Sequence, residues 1–207
     1  MALPYLTLRT RAEHETEVKR SRFICAMAPA GSAEEAAEFI AERRRLHQGA
    51  THNCTAYVVG QRLQKGDDDG EPGGTAGTPM VQALVGRGFN DVVAVVTRYF
   101  GGVLLGAGGL VRAYGSAVTE TLDRVEPVRM VPARLVRVSV GHEQAGRVEN
   151  DLRVSAYPVR EVSYGGEVSF SVAVGENEVA SFTEWVATLT AGRATVDPGA
   201  EIHVPER

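Results

Sequence analysis

Residues 92–114, VVAVVTRYFGGVLLGAGGLVRAY, read as strand, turn and helix in a single pass. Val92 to Thr97 is a near-continuous apolar run of strand length, which predicts a strand covered on both faces. Arg98 and Tyr99 close it. Gly101, Gly102, Gly106, Gly108 and Gly109 then punctuate the chain, and glycine lets backbone approach a ligand or another segment closely. A helix opens at about Gly109. In it Leu110, Tyr114, Val118 and Leu122 recur at i, i+4 and predict a buried stripe.

A helix N-terminus carries unpaired N–H groups and partial positive charge, which suits an anion. Arg98 precedes the turn, and Arg112 lies in the first helical turn on a face shared with Ser116, Thr119 and Glu120. One reading makes Arg98, Gly108, Gly109 and Arg112 a phosphate or carboxylate cradle, with Tyr99 available to stack on a base. The other makes Arg98 or Arg112 a salt bridge to the acidic loop at residues 67–71.

Upstream, short strands are expected at Tyr5–Leu8 and Thr16–Lys19 and a longer one at Arg20–Ala28. Ser32 and Glu35 form a capping-box pattern. The helix behind it runs to about Leu46, with Ala36, Phe39, Ile40 and Leu46 expected inward. Cys54–Val59 is the next strand and Gly66–Gly77 a polar, glycine-dense loop. Thr78 and Pro79 suit the N-cap and first turn of a short helix through Val85.

Downstream, VEPVRMVPA (residues 125–133) is expected to be an extended linker, because Pro127 and Pro132 bracket it. This gives two domains, 1–125 and 134–207. In the second, Arg134–Val140 alternates, Ala145, Val148 and Leu152 mark a helix, and Tyr157–Tyr164 and Glu167–Val174 meet at Gly165–Gly166. Val179, Phe182, Val186 and Leu189 mark another helix before a last strand at 200–204. That order, β-α-β-β-α-β, is the ferredoxin-like layout. Strand two carries an irregular apolar phase at Arg160 and Glu161. The fold class is α+β.

The chain of 207 residues has 22 Lys+Arg against 26 Asp+Glu. Residues 1–125 balance at 14 of each, and residues 126–207 carry 8 against 12. The broad basic footprint of a nucleic-acid binder is missing, so any such contact must be local. No apolar run has membrane-spanning length, and MALPYLTLRT lacks the layout of a secretory signal. Two cysteines, Cys25 and Cys54, form neither a disulfide framework nor a zinc set. A cytoplasmic location is expected.

Other chemistry-bearing residues have plainer alternatives. Asp67, Asp68, Asp69 and Glu71 are numerous enough for Mg²⁺ or Ca²⁺, but consecutive residues rarely converge and an EF-hand spacing is lacking. A solvated acidic turn is the preferred reading, with no metal and no cofactor. His52 and Cys54 would share a strand face. Cys54 begins an apolar strand and is expected to be inert, with His52 bonded to a loop carboxylate. Arg43, Arg44 and Arg45 end the first helix, where cations suit the dipole. Alone they read as a solvated face, and with Lys19, Arg20 and Arg22 nearby in space they would make a phosphate-tracking patch.

Four segments together resemble the IMPACT family, in its bacterial, YigZ-type form. They are KRSRFI (19–24), ATHNCTAY (50–57), DDGEPGGTAGTP (68–79) and VVTRYFGGVLLGAGGLVRAY (95–114). The resemblance covers residues 15 to 125, and the C-terminal half is similar to the small second domain of bacterial members. It implies a first domain like the second domain of ribosomal protein S5, a second like a late domain of elongation factor G, and a link to translation. Eukaryotic relatives restrain a starvation-responsive kinase through a domain that does not precede the motif region here, so that activity is not carried over. Asp67 and Gly73 stand where the family often has serine, and Gly49 and Thr78 where it often has lysine.

The leading expectation is a non-catalytic, translation-associated binding protein whose partner is RNA or a ribosome-associated protein. The supporting residues would be His52, Asp68, Asp69, Glu71, Lys19, Arg20 and Arg22. An enzyme acting on a small anionic substrate would instead need a pocket joining His52 or Glu71, as general base, to Gly106–Gly109. A purely protein-binding module would show an apolar patch on the C-terminal sheet opposite its helices.

Overall fold

The computed structural model describes residues 3–60 and 62–206. The chain divides into two compact units, Tyr5–Val128 and Met1–Pro4 with Arg129–Arg207.

In the first unit, β1 (Tyr5–Leu8) precedes the hairpin of β2 (Ala12–Val18) and β3 (Ser21–Pro29). Then come α1 (Ala33–Leu46), β4 (His52–Val59), β5 (Leu63–Asp67), α2 (Gly77–Gly86), β6 (Val92–Tyr99) and α3 (Ala107–Leu122). Five strands form an antiparallel sheet in the order β2-β3-β6-β4-β5. β6 is central and buried from Val92 to Arg98, as its apolar run requires.

Alternation along β6 sorts its side chains between two cores. Val92, Ala94 and Val96 face α2 and α3, with Phe23, Met80, Leu84, Leu110, Tyr114 and Val118. Val93 and Val95 face α1, with Ala26, Ala28, Ala36 and Phe39. Ser32 caps α1 by accepting from the Glu35 amide at 3.1 Å. Leu46 is 65% exposed rather than inward, because at about 100° per residue it lies at the edge of the stripe formed by Ala36, Phe39 and Arg43. Arg43 holds the inward position instead, reaching Glu13 at 2.5 Å.

Two further expectations are corrected. Gly66 and Asp67 belong to edge strand β5 rather than to a loop. Helix α2 starts at Gly77, with Ala76 as N-cap and no side-chain cap of its own. Thr78 therefore lies inside the helix.

The second unit contains β7 (Pro127–Val140), α4 (His142–Val154), β8 (Val159–Tyr164), β9 (Val168–Gly175), α5 (Val179–Thr190) and β10 (Thr195–Pro205). The strands pair antiparallel as β10-β7-β9-β8, which is the ferredoxin-like order. Val136, Val138, Phe170, Val172, Phe182 and Val186 fill the core beneath the two helices. A register shift between Val159 and Glu161 accounts for the irregular phase read there. The expected linker is instead the first half of β7, with Pro132 opposite His203 on β10. Proline is extended by nature and is tolerated where a strand does not need its N–H.

The sheet face opposite the helices is polar over part of its length, and Ala133, Leu135 and Ala173 continue it with apolar residues. Arg137 lies opposite Ser171 and Ser171 opposite Glu161, while Ser139 lies opposite Ser169 and Ser169 opposite Ser163. The Ser139 and Ser169 hydroxyls are 2.9 Å apart.

Candidate anion-binding site

The turn between β6 and α3 rests on a hairpin whose backbone it touches. Lys19 and Arg20, the two residues joining β2 to β3, have φ of 47° and 67°, the left-handed pair of a type I′ turn. Neither is glycine, so the conformation is strained. Gly101 lies directly on this turn, and a Cβ at Gly101 would collide with the carbonyl of Arg20. The Gly101 amide donates to Ser21 Oγ at 3.2 Å, and the Phe100 amide to Thr51 Oγ1 at 3.0 Å.

Arg98 faces inward beneath the turn. Its Nη1 donates to Glu71 Oε1 at 2.6 Å, and Tyr114 Oη donates to the same oxygen at 2.8 Å. Both ionic side chains are buried. Nη2 reaches Ser21 Oγ at 3.4 Å, and the guanidinium carbon sits 5.5 Å from the ring centroids of both Phe23 and Phe100. Among the described residues Nε has no acceptor. Of the two readings open in the sequence, Arg98 takes the internal salt bridge to the acidic loop.

Tyr99 parts from Arg98 because adjacent strand residues point to opposite faces. Its hydroxyl is 3.0 Å from His47 Nδ1 on the α1 side, and Arg22 lies over its ring. Burial, helped by Arg43, holds the His47 pKa below the ordinary imidazole range. Arg43 Nη2 donates to His47 Nε2 at 3.0 Å, so the neutral ring keeps its proton on Nδ1 and donates it to the Tyr99 hydroxyl. Arg22 thus covers part of the half-buried ring that the sequence offers for stacking on a base.

The acidic loop is a bracket turned inward. Asp68 Oδ1 accepts from the amides of Ala76 and Gly77 at 2.9 and 2.8 Å, and Oδ2 from Gly74 at 2.7 Å. Asp68 thus supplies the cap that α2 lacks within itself. Partial burial works to raise its pKa, but these three amides outweigh it and leave the pKa low. Asp69 Oδ2 accepts from the Asn53 amide at 2.6 Å, and its carbonyl from His52 Nδ1 at 2.7 Å. His52 is therefore bonded to a loop carbonyl, with Nε2 3.8 Å from Glu71 Oε2. Cys54 is buried against the Asp68 carbonyl, and burial beside three carboxylates pushes its thiol up to about 12. Among the described residues no group of three or more His, Cys, Asp or Glu could hold a metal ion.

The basic patch read from the sequence disperses in the same way. Arg22 pairs with Glu15 at 2.8 Å, Arg43 with Glu13, and Arg44 with Asp67 and Asp69 at 3.5 and 3.3 Å. Lys19, Arg20 and Arg112 are exposed. Among the described residues none of these three has a carboxylate within ion-pair distance.

At the start of α3 the anion-site geometry remains open. Gly106 (φ 73°) is the N-cap and offers no side chain. Its carbonyl accepts from Leu110 at 2.9 Å, while the amides of Ala107, Gly108 and Gly109 have no acceptor among the described residues. A Cβ on Gly108 would lie 3.8 Å from Arg112 Nη1, so the guanidinium stands beside these amides. Phe100, Val103, Leu104 and Val111 are exposed around them. The sequence reading passed over these four, although aliphatic residues between turn glycines are an available signal.

Comparison with known proteins settles the family. Residues 19–122 match the Impact N-terminal domain, and residues 138–193 match a domain of unknown function, DUF1949. The chain belongs to the IMPACT family. It is 44% identical over 197 residues to the IMPACT family member YvyE of Bacillus subtilis (strain 168), covering 94% of this chain and 91% of the relative. It is 37% identical over 180 residues to the IMPACT family member YigZ of Escherichia coli (strain K12), covering 85% and 88%. A crystal structure described as that of a hypothetical protein superposes with a TM-score of 0.77 at 32% identity, covering 97% of this chain and 98% of the other. Among the described residues no helix is long and apolar enough to cross a membrane. In IMPACT-family terms, both the internal bracket and the exposed turn lie within the N-terminal domain.

Proposed function

We propose that the protein acts in translation by binding rather than catalysis, with the β6–α3 turn receiving an anionic group of a ribosomal component. The observation that carries this reading is the unpaired Arg112 beside the acceptor-free amides of Ala107, Gly108 and Gly109. Converging amides and a guanidinium at a helix N-terminus favour a phosphate or carboxylate. Family membership and the association of IMPACT proteins with translation supply the setting.

Arg98, His52, Asp68, Asp69 and Glu71 serve this site indirectly, by holding β4, β6, α2 and α3 in register beneath the turn. Lys19 and Arg20 flank it through Gly101. An enzyme reading gains little from the geometry. The Glu71 carboxylate is buried and bonded to Arg98 and Tyr114, a poor arrangement for a base that must exchange protons with a substrate.

The test is co-sedimentation with purified ribosomes at low and moderate salt. Wild-type protein should pellet with ribosomes, and Arg112→Ala, shown folded by circular dichroism, should pellet several-fold less. Equal pelleting by the two proteins would remove this site.

A further inference from the structure

The β6–α3 turn displays aliphatic side chains in an unusual setting. Leu104 is 82% exposed, and Phe100, Val103 and Val111 are each more than a third exposed. The segment is anchored on both sides of its exposed residues: Gly101 packs on the Arg20–Ser21 backbone, and Leu105 packs against the core. Close-set exposed apolar residues on a pinned turn are characteristic of an interaction surface. The unpaired cations Lys19 and Arg20 stand on the Gly101 side and Arg112 on the α3 side.

We infer that this surface docks a protein segment in which apolar side chains are flanked by aspartate or glutamate. The inference rests on the binding role proposed above and names the chemistry of the partner. Two observations favour protein over RNA. Leu104, Val103 and Val111 have no ring to stack on a base, and base stacking is the main apolar contribution to single-strand binding. The nearby aromatics are engaged: Tyr99 through its hydroxyl and under Arg22, and Phe100 against the Arg98 guanidinium on one side. Aliphatic knobs with a cationic rim instead complement an apolar hollow with an acidic rim.

The experiment places a benzophenone photo-crosslinker at position 104 of the full chain and irradiates it with purified ribosomes. A second arm measures ribosome affinity for Leu104→Ser, whose exposed position leaves the fold intact. The expected adduct is sensitive to protease, resists ribonuclease, and maps by mass spectrometry to a segment with apolar residues beside Asp or Glu. Leu104→Ser should weaken ribosome binding about tenfold. An adduct on ribosomal RNA, an adduct on a basic protein segment, or normal binding by Leu104→Ser without any adduct overturns the protein-partner inference and leaves the anion-binding role standing. Failure of the unmodified protein to pellet with ribosomes overturns both.

Discussion

Arg98 Nη1 and Glu71 Oε1 meet at 2.6 Å between two buried side chains, joining the end of the central strand to the acidic loop. Tyr114 brings α3 to the same oxygen. One carboxylate thus fixes three elements under the exposed turn. Removing either charge strands the other away from water, which costs about 3–5 kcal/mol. Arg98→Ala and Glu71→Ala should each lose stability on that scale in urea unfolding. Tyr114→Phe, which removes one hydrogen bond, should lose about 1 kcal/mol. Losses below about 1 kcal/mol for both charge deletions would mean the pair does not organise the domain.

Asp68 makes stability depend on acid. Its folded pKa is depressed, so its contribution is complete above the unfolded value, about 3.9. That contribution is lost as pH falls through the lower folded value. Asp68→Asn, which replaces an acceptor-only carboxylate by an amide, should cost about 1–2 kcal/mol at neutral pH. The two unfolding midpoints should converge as the pH falls below the unfolded value. Parallel curves across that range would contradict the capping role.

The thiols of Cys25 and Cys54 are both pushed up to about 12, mainly by burial. Alkylation by iodoacetamide at pH 8 should be negligible in the folded protein and complete in denaturant. Rapid labelling of Cys54 in native protein would reopen nucleophilic chemistry at this position.

Gly101 and Gly108 belong to one motif but should behave oppositely. Gly101→Ala drives a methyl into the Arg20 backbone, where the hairpin cannot yield, so soluble yield and melting temperature should fall sharply. Gly108→Ala meets only the tip of Arg112 and should fold normally. Thermal melts of the two variants decide it, and equal tolerance would remove the close approach from the account.

Much of this was legible in the sequence. The apolar run of β6, the capping box of α1, the i, i+4 stripe of α3 and the βαββαβ order all state their period directly. The opposite directions of Arg98 and Tyr99 follow from alternation alone, yet proximity in the sequence suggested a shared site. The salt bridge of Arg98 to the acidic loop stands as one of two readings, and the loop delivers Glu71 to it from 27 residues away. The cap of α2 comes from Asp68 across a turn, whereas local rules pointed to Thr78. Leu46 misled because it lies at the edge of the helical stripe, where the period alone does not separate inward from outward. Prolines at 127 and 132 suggested a linker, since sequence alone does not show that a neighbouring strand will tolerate the missing N–H.

The most direct test of the account is the salt dependence of ribosome binding by wild type and Arg112→Gln. If Arg112 and the α3 amides hold an anionic group, the charge-neutral variant should bind more weakly. Its slope of log affinity against log salt should also be shallower, by about one where the group is a nucleic-acid phosphate. A folded Arg112→Gln variant with the affinity and slope of the wild type would contradict the central claim.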